Sequence, residues 1–467
     1  MNLFNKTKKT TTEDSSSDTS IPKQQVSIVE EERAMEPTPS YLLPGILVTT
    51  LFFLWGFSYG LLDTLNKHFR NVLGISTTET TYMQVAYFGA YFIMSIPASF
   101  ISRKFGYKKA IIFGLALYVI GAICFYPSAA NLSYGGFVAS LFVIACGLAT
   151  LETCANTYIT IIGSRKYASL RLNAAQGFNG LASTIAPVVA SYAFFGGSED
   201  AGGDLESVKW TYVGVACGVF VIAVLFCFAK IPEVDEERLM AAESEETGEV
   251  IRRASLFSPH LLLGAFTQFM YTGAQVALAS MFLFYSSEVG HMADSRGSIM
   301  LSVGQGCFTV GRFLGAVLLK KFRADYLMAF YAVCAIITNV FIIAMKTPET
   351  TYALIILLFF ESVMYPTIFA LGTKDLGRNH KKGSALIVMG VSGGAVLPPI
   401  QAVIHDHTTV NISFVIPLIA YVVVFFYGTI GCRLIKYVDE DLDVNHGVVS
   451  LDENNQKQID QTNSKNL

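Results

Sequence analysis

The sequence predicts an all-α membrane protein whose twelve transmembrane helices form two pseudo-symmetric halves of six. Three observations support this fold class. The 467 residues are 52% hydrophobic and only 15% charged, whereas a water-soluble chain carries about 25% charged residues. The mean hydropathy is +0.47. The charged residues collect between long apolar runs, and two short sequence patterns recur at equivalent places in the two halves.

Each apolar run is long enough to cross a bilayer, because a hydrocarbon core of about 30 Å needs about 20 helical residues. The predicted spans are 42–66, 80–102, 109–128, 135–162, 171–195, 210–230, 259–286, 298–319, 325–345, 351–373, 384–404 and 412–436. The first of them must also direct membrane insertion, since residues 1–40 contain no apolar stretch.

The polar segments divide the chain into five predicted regions. These are a disordered cytoplasmic tail (1–40), an N-terminal six-helix bundle (41–230), a cytoplasmic linker (231–257), a C-terminal six-helix bundle (258–437) and a second disordered cytoplasmic tail (438–467). Lys and Arg concentrate in the loops after spans 2, 4, 8 and 10. The positive-inside rule therefore predicts cytoplasmic termini, in a multi-pass protein of the plasma membrane. This orientation puts the sequons at Asn131 and Asn411 outside.

The composition also excludes several functions. The net charge of −3 gives no basic field for nucleic acid. The eight cysteines lie in or beside apolar runs and lack metal-site spacing. No nucleophile–base pair or phosphate-binding loop is present. We therefore expect neither an enzyme nor a metal or organic cofactor, and the expected partners are the lipid bilayer and a small transported molecule.

An internal repeat relates the two halves. Residues 152–163 read "ETCANTYITIIG" and residues 361–372 read "ESVMYPTIFALG". A basic loop, "RKFGYKK", follows span 2, and "KKFRADY" follows span 8. Duplicated halves joined by a cytoplasmic linker are typical of transporters. The loop after span 2 resembles the basic loop motif of the major facilitator superfamily, although it lacks the usual Asp.

Three carboxylates fall inside predicted spans, where a charge at the bilayer centre costs about 2.5–3.5 kcal/mol on insertion scales. Glu152 lies at least ten residues from either end of its run, with no Lys or Arg within two turns and with Asn156 at i+4. A carboxyl group without a cationic partner in a low dielectric retains its proton near neutral pH. Glu152 therefore indicates a proton-coupling site. The alternative is a neutral Glu that hydrogen-bonds neighbouring helices.

The other two carboxylates have more structural alternatives. Asp63 is followed by Lys67 at i+4, which also fits an ion pair at the membrane interface. Glu361 precedes Pro366, which leaves the carbonyl group of Ser362 without its helical donor. Polar groups can gather at such a break, but a Glu361 with no part in transport fits equally.

Neutral polar side chains form a candidate substrate site. Amides and hydroxyls both donate and accept hydrogen bonds, which suits a sugar, and aromatic rings stack on its C–H faces. The predicted substrate-binding residues are Asp63, Asn156, Asn173, Gln176, Asn179, Gln268, Gln275 and Tyr365. Each amide also fits interhelical hydrogen bonding. Arg312, flanked by Gly311 and Gly315, indicates either helix packing or gating.

Six stretches resemble the fucose permease family of proton-linked sugar symporters. They cover most of residues 45–435 and read "LFFLWGFSYGLLDTL", "GLATLETCANTYITIIG", "RLNAAQGFN", "YTGAQ", "GRFLG" and "YPTIFALGTKDLG". The resemblance implies that Glu152 is the protonatable residue and that Asp63 takes part in sugar binding and coupling. It also implies that Gln176, Asn179 and Gln275 line the cavity. The chain departs from the family at 57–60, where the family carries an Asn-rich segment, and in having Glu361.

The expected function is import of a hexose, a fucose-like sugar or an N-acetylamino sugar together with a proton, by alternating access. The polar tails and the acidic linker resemble those of eukaryotic and, among them, fungal carriers, which include N-acetylglucosamine transporters. Two alternatives stay open from the sequence: a proton-independent sugar facilitator, and a sugar sensor that does not transport.

Overall fold

A computed structural model describes residues 42–73, 77–163, 165–195, 205–234 and 253–438. The predicted tail 1–40, the predicted tail beyond 438 and most of the linker 231–257 lie outside the described residues. Inside the described ranges the fold is helical, apart from one pair of two-residue strands.

The N-terminal half contains six long helices, one for each predicted span. They are α1 (Leu42–Leu73), α2 (Thr77–Phe105), α3 (Tyr107–Ala130), α4 (Tyr134–Ile161), α5 (Ala168–Phe195) and α6 (Leu205–Phe228). A 3₁₀ turn at Arg165–Tyr167 precedes α5. Among the candidate membrane spans of the described residues, the helix α4 and the tenth span have the largest buried fraction. Every residue from Gly147 to Ile161 in α4 is buried, which places Glu152 inside protein rather than facing lipid.

The C-terminal half contains three continuous and three interrupted spans. Its helices are α7 (Pro259–Glu288), α8 (Asp294–Leu318), α9 (Ala324–Ala344), α10 (Thr351–Glu361), α11 (Met364–Gly372), α12 (His380–Met389), α13 (Leu397–His407), α14 (Val410–Ser413) and α15 (Val415–Thr429). The pairs α10–α11, α12–α13 and α14–α15 make up predicted spans 10, 11 and 12. The 3₁₀ segments of this half are Pro348–Thr350, Gly377–Asn379, Gly390–Ala395 and Gly431–Arg433.

Within the described residues, eleven segments are long and apolar enough to cross a membrane. The predicted span that is missing from this set is the fifth, which corresponds to the 28-residue helix α5. The set covers only the described residues, and most side chains of α5 beyond Ala186 lie outside them. The described part of α5 carries the buried amides Asn173, Gln176 and Asn179.

Close glycine contacts bring α8 against the break between α10 and α11. A Cβ atom at Gly311 would collide with the Ser362 side chain, and one at Gly315 would collide with Val363. Helices approach this closely only when small residues lie at the contact. The predicted packing role of the small residues flanking Arg312 is therefore confirmed, and it carries Arg312 into the centre of the molecule.

Asn411 is a structural residue rather than an accessible sequon. Its side chain is 2% exposed, and its amide nitrogen donates to the Tyr285 hydroxyl at 3.1 Å and to the Ile342 carbonyl at 2.9 Å. Since a buried amide with these partners cannot carry a glycan in the folded protein, this sequon lends no support to the predicted orientation, which stays a prediction. Asn131 is exposed.

The two halves meet at the end of the bundle where α2 ends and α12 begins, which we call the basic end. There, Lys381 donates to the Ser102 carbonyl at 3.1 Å, and the Ser99 hydroxyl donates to the Lys381 carbonyl at 2.8 Å. The Lys381 ammonium also lies 4.0 Å from the centroid of the Tyr107 ring and 3.9 Å from a carboxylate oxygen of Glu233. These contacts close the basic end.

Removal of Lys381 is expected to loosen this closure. The contacts of its ammonium are worth about 1–1.5 kcal/mol together, since the partner Glu233 is 53% exposed. Cys154 is 1% exposed and lies in α4, against which α12 packs. In a variant that keeps only Cys154, Lys381→Ala should raise the rate of Cys154 alkylation about five- to tenfold.

Lys382 supplies the matched control, because it is the next residue and its side chain is exposed. Lys382→Ala should leave the alkylation rate of Cys154 unchanged. Equal alkylation rates in the Lys381→Ala and Lys382→Ala variants would show that Lys381 does not hold the basic end closed.

Candidate functional site

Glu152 lies at the interface between the halves and is 4% exposed. Its Oε1 atom accepts a hydrogen bond from the hydroxyl of Tyr365, which belongs to α11 in the other half. The Asn156 amide, one turn further along α4, approaches the same oxygen at 3.5 Å. The second oxygen, Oε2, is buried and has no hydrogen-bond partner among the described residues. Glu152 therefore has one oxygen that is held in place and one that is free to carry a proton.

A chain of amides extends from Glu152 to a buried cation. The Gln176 amide nitrogen donates to Asn156 Oδ1 at 3.4 Å. Arg312 Nη1 in turn donates to Gln176 Oε1 at 3.2 Å and to Asn179 Oδ1 at 2.9 Å. The predicted residues Glu152 and Asn156 of α4 and Gln176 and Asn179 of α5 thus form one connected network. Asn179 keeps an amide nitrogen without a partner, which leaves it available to a ligand.

Arg312 links the two halves. It lies on α8 and is 2% exposed. Its Nη1 atom also donates to the Gln176 carbonyl at 2.7 Å, while its Nε atom donates to the Ser362 carbonyl at 3.3 Å. The guanidinium lies 4.5 Å from the centroid of the Phe308 ring. None of the ion pairs among the described residues includes Arg312, so neutral dipoles from both halves satisfy its charge.

A cavity lies between the halves beside this network. It is lined by Trp55, Tyr59, Phe88, Asn179, Ser183, Thr272, Gln275, Val276, Gln305 and Phe308. The lining combines amides and hydroxyls with aromatic rings and contains no charged side chain. The rings of Trp55 and Tyr59 stack with centroids 5.6 Å apart. This is the lining expected for a neutral polyol with apolar C–H faces.

The structure separates some predicted residues from this cavity. Gln268 is fully buried and donates to Thr272 at 3.4 Å. Asn173 donates to Thr367 at 3.3 Å and so ties α5 to α11. Neither lines the cavity, and neither do Asn156, Gln176 and Tyr365, so Asn179 and Gln275 are the predicted residues that do. Asp63 lies in α1, but its side chain lies outside the described residues, so its predicted role stays a prediction.

Glu361 forms a second buried acidic site. It is fully buried, at the last residue of α10. Its Oε1 atom accepts from the Tyr421 hydroxyl at 2.5 Å, and its backbone carbonyl accepts from the Tyr271 hydroxyl at 2.9 Å. Like Glu152, it keeps an Oε2 atom that is buried without a partner.

The sequence analysis missed Trp55, Gln305 and Tyr421. Gln305 lies seven residues before Arg312, which is two turns along the same face of a helix, so the spacing would have indicated it. Trp55 lies one turn before Tyr59 and would have been found in the same way. Tyr421 is surrounded by apolar residues in the sequence and gave no signal, since its role depends on a contact with Glu361 sixty residues away.

Comparison with known proteins shows the family to which the chain belongs. A family model described as Major Facilitator Superfamily matches residues 47–409. The chain belongs to the Major Facilitator Superfamily. Its predicted fold class is thereby confirmed, and so are the predictions that it is a multi-pass membrane transporter and not an enzyme.

Curated relatives cover most of the chain. A protein named glucose/galactose transporter from Brucella abortus (strain 2308) is 33% identical over 390 residues, which are 83% of this chain and 93% of the relative. A putative glucose/galactose transporter from Helicobacter pylori (strain J99) is 34% identical over 414 residues, covering 85% and 99%. The L-fucose-proton symporter of Escherichia coli (strain K12) is 31% identical over 408 residues, covering 83% and 93%. The resemblance to fucose symporters is therefore confirmed.

Solved structures agree with the fold. A crystal structure of the transporter FucP in the outward conformation matches with a TM-score of 0.72 and 30% identity, covering 84% of this chain and 99% of FucP. The proton:xylose symporter XylE matches with a TM-score of 0.63 over 82% of this chain and 94% of XylE. Because XylE is only 12% identical, that similarity concerns the fold alone.

Proposed function

We propose that this protein is a proton-coupled monosaccharide symporter that works by alternating access. The observation that carries the proposal is the position of Glu152. Its carboxyl group is buried between the halves, has one oxygen bonded across the interface by Tyr365, and has a second oxygen without a partner. A group that joins the two halves can bind a proton in one conformation and release it in another.

The proton makes the closed conformation accessible. A carboxylate that is buried without a cationic partner is strongly destabilised, whereas a protonated carboxyl needs only hydrogen bonds. Protonation of Glu152 Oε2 therefore permits the halves to close around the site. When the basic end opens, water reaches the carboxyl group and the proton leaves. Coupling follows because closure around the sugar without a proton is costly, whereas the empty protein returns with water in the cavity that solvates the carboxylate.

The cavity beside the network has a volume of about 20 Å³, enough for about one water in this conformation. Separation of the halves would widen it into the sugar site. Asn179, Thr272, Gln275 and Gln305 offer hydrogen bonds to hydroxyl groups, and Trp55 offers a stacking face. We also assign to sugar binding the predicted Asp63, Asn156, Gln176 and Tyr365; Asn173 and Gln268 support the neighbouring helices. The absence of charge from the cavity lining favours a neutral monosaccharide.

The substrate class is a hexose, a fucose-like sugar or an N-acetylamino sugar. Relatives named for glucose, galactose and L-fucose support the first two. We further propose a location in the plasma membrane with both termini in the cytoplasm, which the Lys and Arg bias of the loops supports. In this orientation the basic end faces the cytoplasm.

Uptake by proteoliposomes containing the purified protein tests the proposal. Radiolabelled D-glucose, D-galactose, L-fucose and N-acetylglucosamine are offered under an inward proton gradient, with and without a protonophore. We expect at least one sugar to accumulate above its external concentration, and the protonophore to abolish this accumulation while leaving exchange intact. Equilibration without accumulation would identify a facilitator. Binding without flux would identify a sensor.

A further inference from the structure

Glu361 has the features that identify Glu152 as a proton site, yet the proposed function does not use it. Its side chain is fully buried, Tyr421 holds one oxygen, and the other oxygen is buried without a partner. The helix α10 ends at Glu361 and α11 begins only at Met364. The carboxyl group therefore lies at a break in a transmembrane span, where the backbone can rearrange.

No cation balances a charge at this position. The groups that face it are the hydroxyls of Tyr271 from α7 and Tyr421 from α15. From α9, Tyr331 packs against the preceding Phe360. From α8, Arg312 reaches only the carbonyl of the next residue. Among the described residues no ion pair includes Glu361. A charged carboxylate in these surroundings would be strongly destabilised, which favours the protonated form.

The two buried carboxyl groups are connected. In the internal repeat, Glu361 and Tyr365 occupy the positions of Glu152 and Asn156. The Tyr365 hydroxyl binds Glu152, and the Tyr365 ring lies 6.4 Å from the ring of Tyr271, whose hydroxyl binds the backbone of Glu361. Each half thus contributes one buried carboxyl group, and the contacts of Tyr365 and Tyr271 lead from Glu152 to the backbone of Glu361.

We propose that Glu361 is a second proton-binding site, so that two protons cross the membrane with each sugar. This inference rests on the proposed function. In the closed conformation Glu361 carries a proton on Oε2. When the halves separate at the basic end, Gln176 and Asn179 of the N-terminal half leave Arg312. The guanidinium, already beside Ser362, then turns to Glu361, and the proton passes from Oε2 to water as an ion pair forms. The empty protein returns with this ion pair in place. Glu361 then takes up a new proton from the outer side, and Arg312 goes back to the amides of α5.

Measurement of the proton-to-sugar ratio tests this proposal. In proteoliposomes without a membrane potential, a tenfold proton gradient supports about hundredfold sugar accumulation at two protons per sugar, and about tenfold at one. The probe is whichever of the four radiolabelled sugars the wild-type protein transports. We expect a ratio of two for the wild-type protein and one for Glu361→Gln, in which the amide replaces the protonated carboxyl group.

Each result separates this inference from the proposed function. A wild-type ratio of one would overturn the second proton site and leave the symporter intact. A ratio of two in both proteins would assign the second proton to another residue and would also overturn the inference. A ratio of zero in the wild-type protein would overturn both proposals. Glu361→Met serves as a second variant if Glu361→Gln does not fold, and the same ratio of one is expected. If neither variant folds, a wild-type ratio of one still overturns the inference, and a ratio of two supports a second proton site.

Discussion

Replacement of Glu152 by Gln is expected to abolish accumulation of sugar against its gradient while exchange of sugar across the membrane continues. Gln has the size of a protonated Glu and keeps a carbonyl oxygen that can accept the Tyr365 hydrogen bond. The halves can therefore close in every cycle. Because the amide cannot release a proton, the proton gradient no longer drives the cycle, and the accumulation ratio falls to about one.

Two assays separate these effects. The first is energised uptake under an inward proton gradient, and the second is counterflow from vesicles preloaded with unlabelled sugar. Glu152→Gln should fail the first and retain the second. Glu349→Gln is the matched control, since Glu349 is exposed and should retain accumulation. Full accumulation by the Glu152→Gln variant would remove Glu152 from the coupling mechanism.

Replacement of Arg312 by Ala is expected to reduce uptake more than a hundredfold. The guanidinium donates to Gln176, Asn179 and Ser362, and these acceptors belong to both halves. Each buried acceptor that loses its donor costs about 1–3 kcal/mol. The closed conformation should therefore lose about 3–5 kcal/mol relative to the open ones, and it would be occupied too rarely to support transport.

Arg312→Lys should recover only a small part of the activity. Lys keeps the charge but lacks the planar fork that reaches several acceptors at once. Arg296→Ala is the matched control, because Arg296 lies on the same helix and is exposed. Initial rates of uptake are compared at equal amounts of folded protein, measured by size-exclusion chromatography. Uptake by Arg312→Ala within about twofold of the wild-type rate would contradict a role for Arg312 in joining the halves.

Much of the fold was predictable because the bilayer imposes a local requirement on each segment. A span needs about 20 apolar residues wherever it lies in the bundle, so each predicted span corresponds to one helix or one pair of helices. The break before Met364 was also predictable, since Pro366 removes a hydrogen-bond donor. The interruptions at Gly390–Ala395 and Phe414 were not predicted. There the backbone bends to follow neighbouring helices: Gly393, for example, leaves no room for a Cβ atom beside Phe269.

The candidate site likewise has a part that the sequence could predict and a part that it could not. The pairs Glu152–Asn156 and Gln176–Asn179 were visible from helical spacing alone, because residues three or four apart share a face. The contact of Tyr365 with Glu152 joins residues 213 positions apart, and that of Arg312 with Asn179 joins residues 133 apart. No local pattern encodes such contacts. The sequence left open whether Arg312 pairs with a carboxylate, and the structure places it among carbonyl and amide oxygens.

The sequence by itself determined that this protein is a membrane protein of two similar halves with acidic groups inside its spans. Those properties depend on composition and spacing along the chain. Only the tertiary structure decided which groups satisfy each buried charge. That choice depends on how closely α8 packs against the break in span 10, and on which atoms of the opposite half meet it there. The same packing leaves Glu152 and Glu361 each with one unpartnered oxygen.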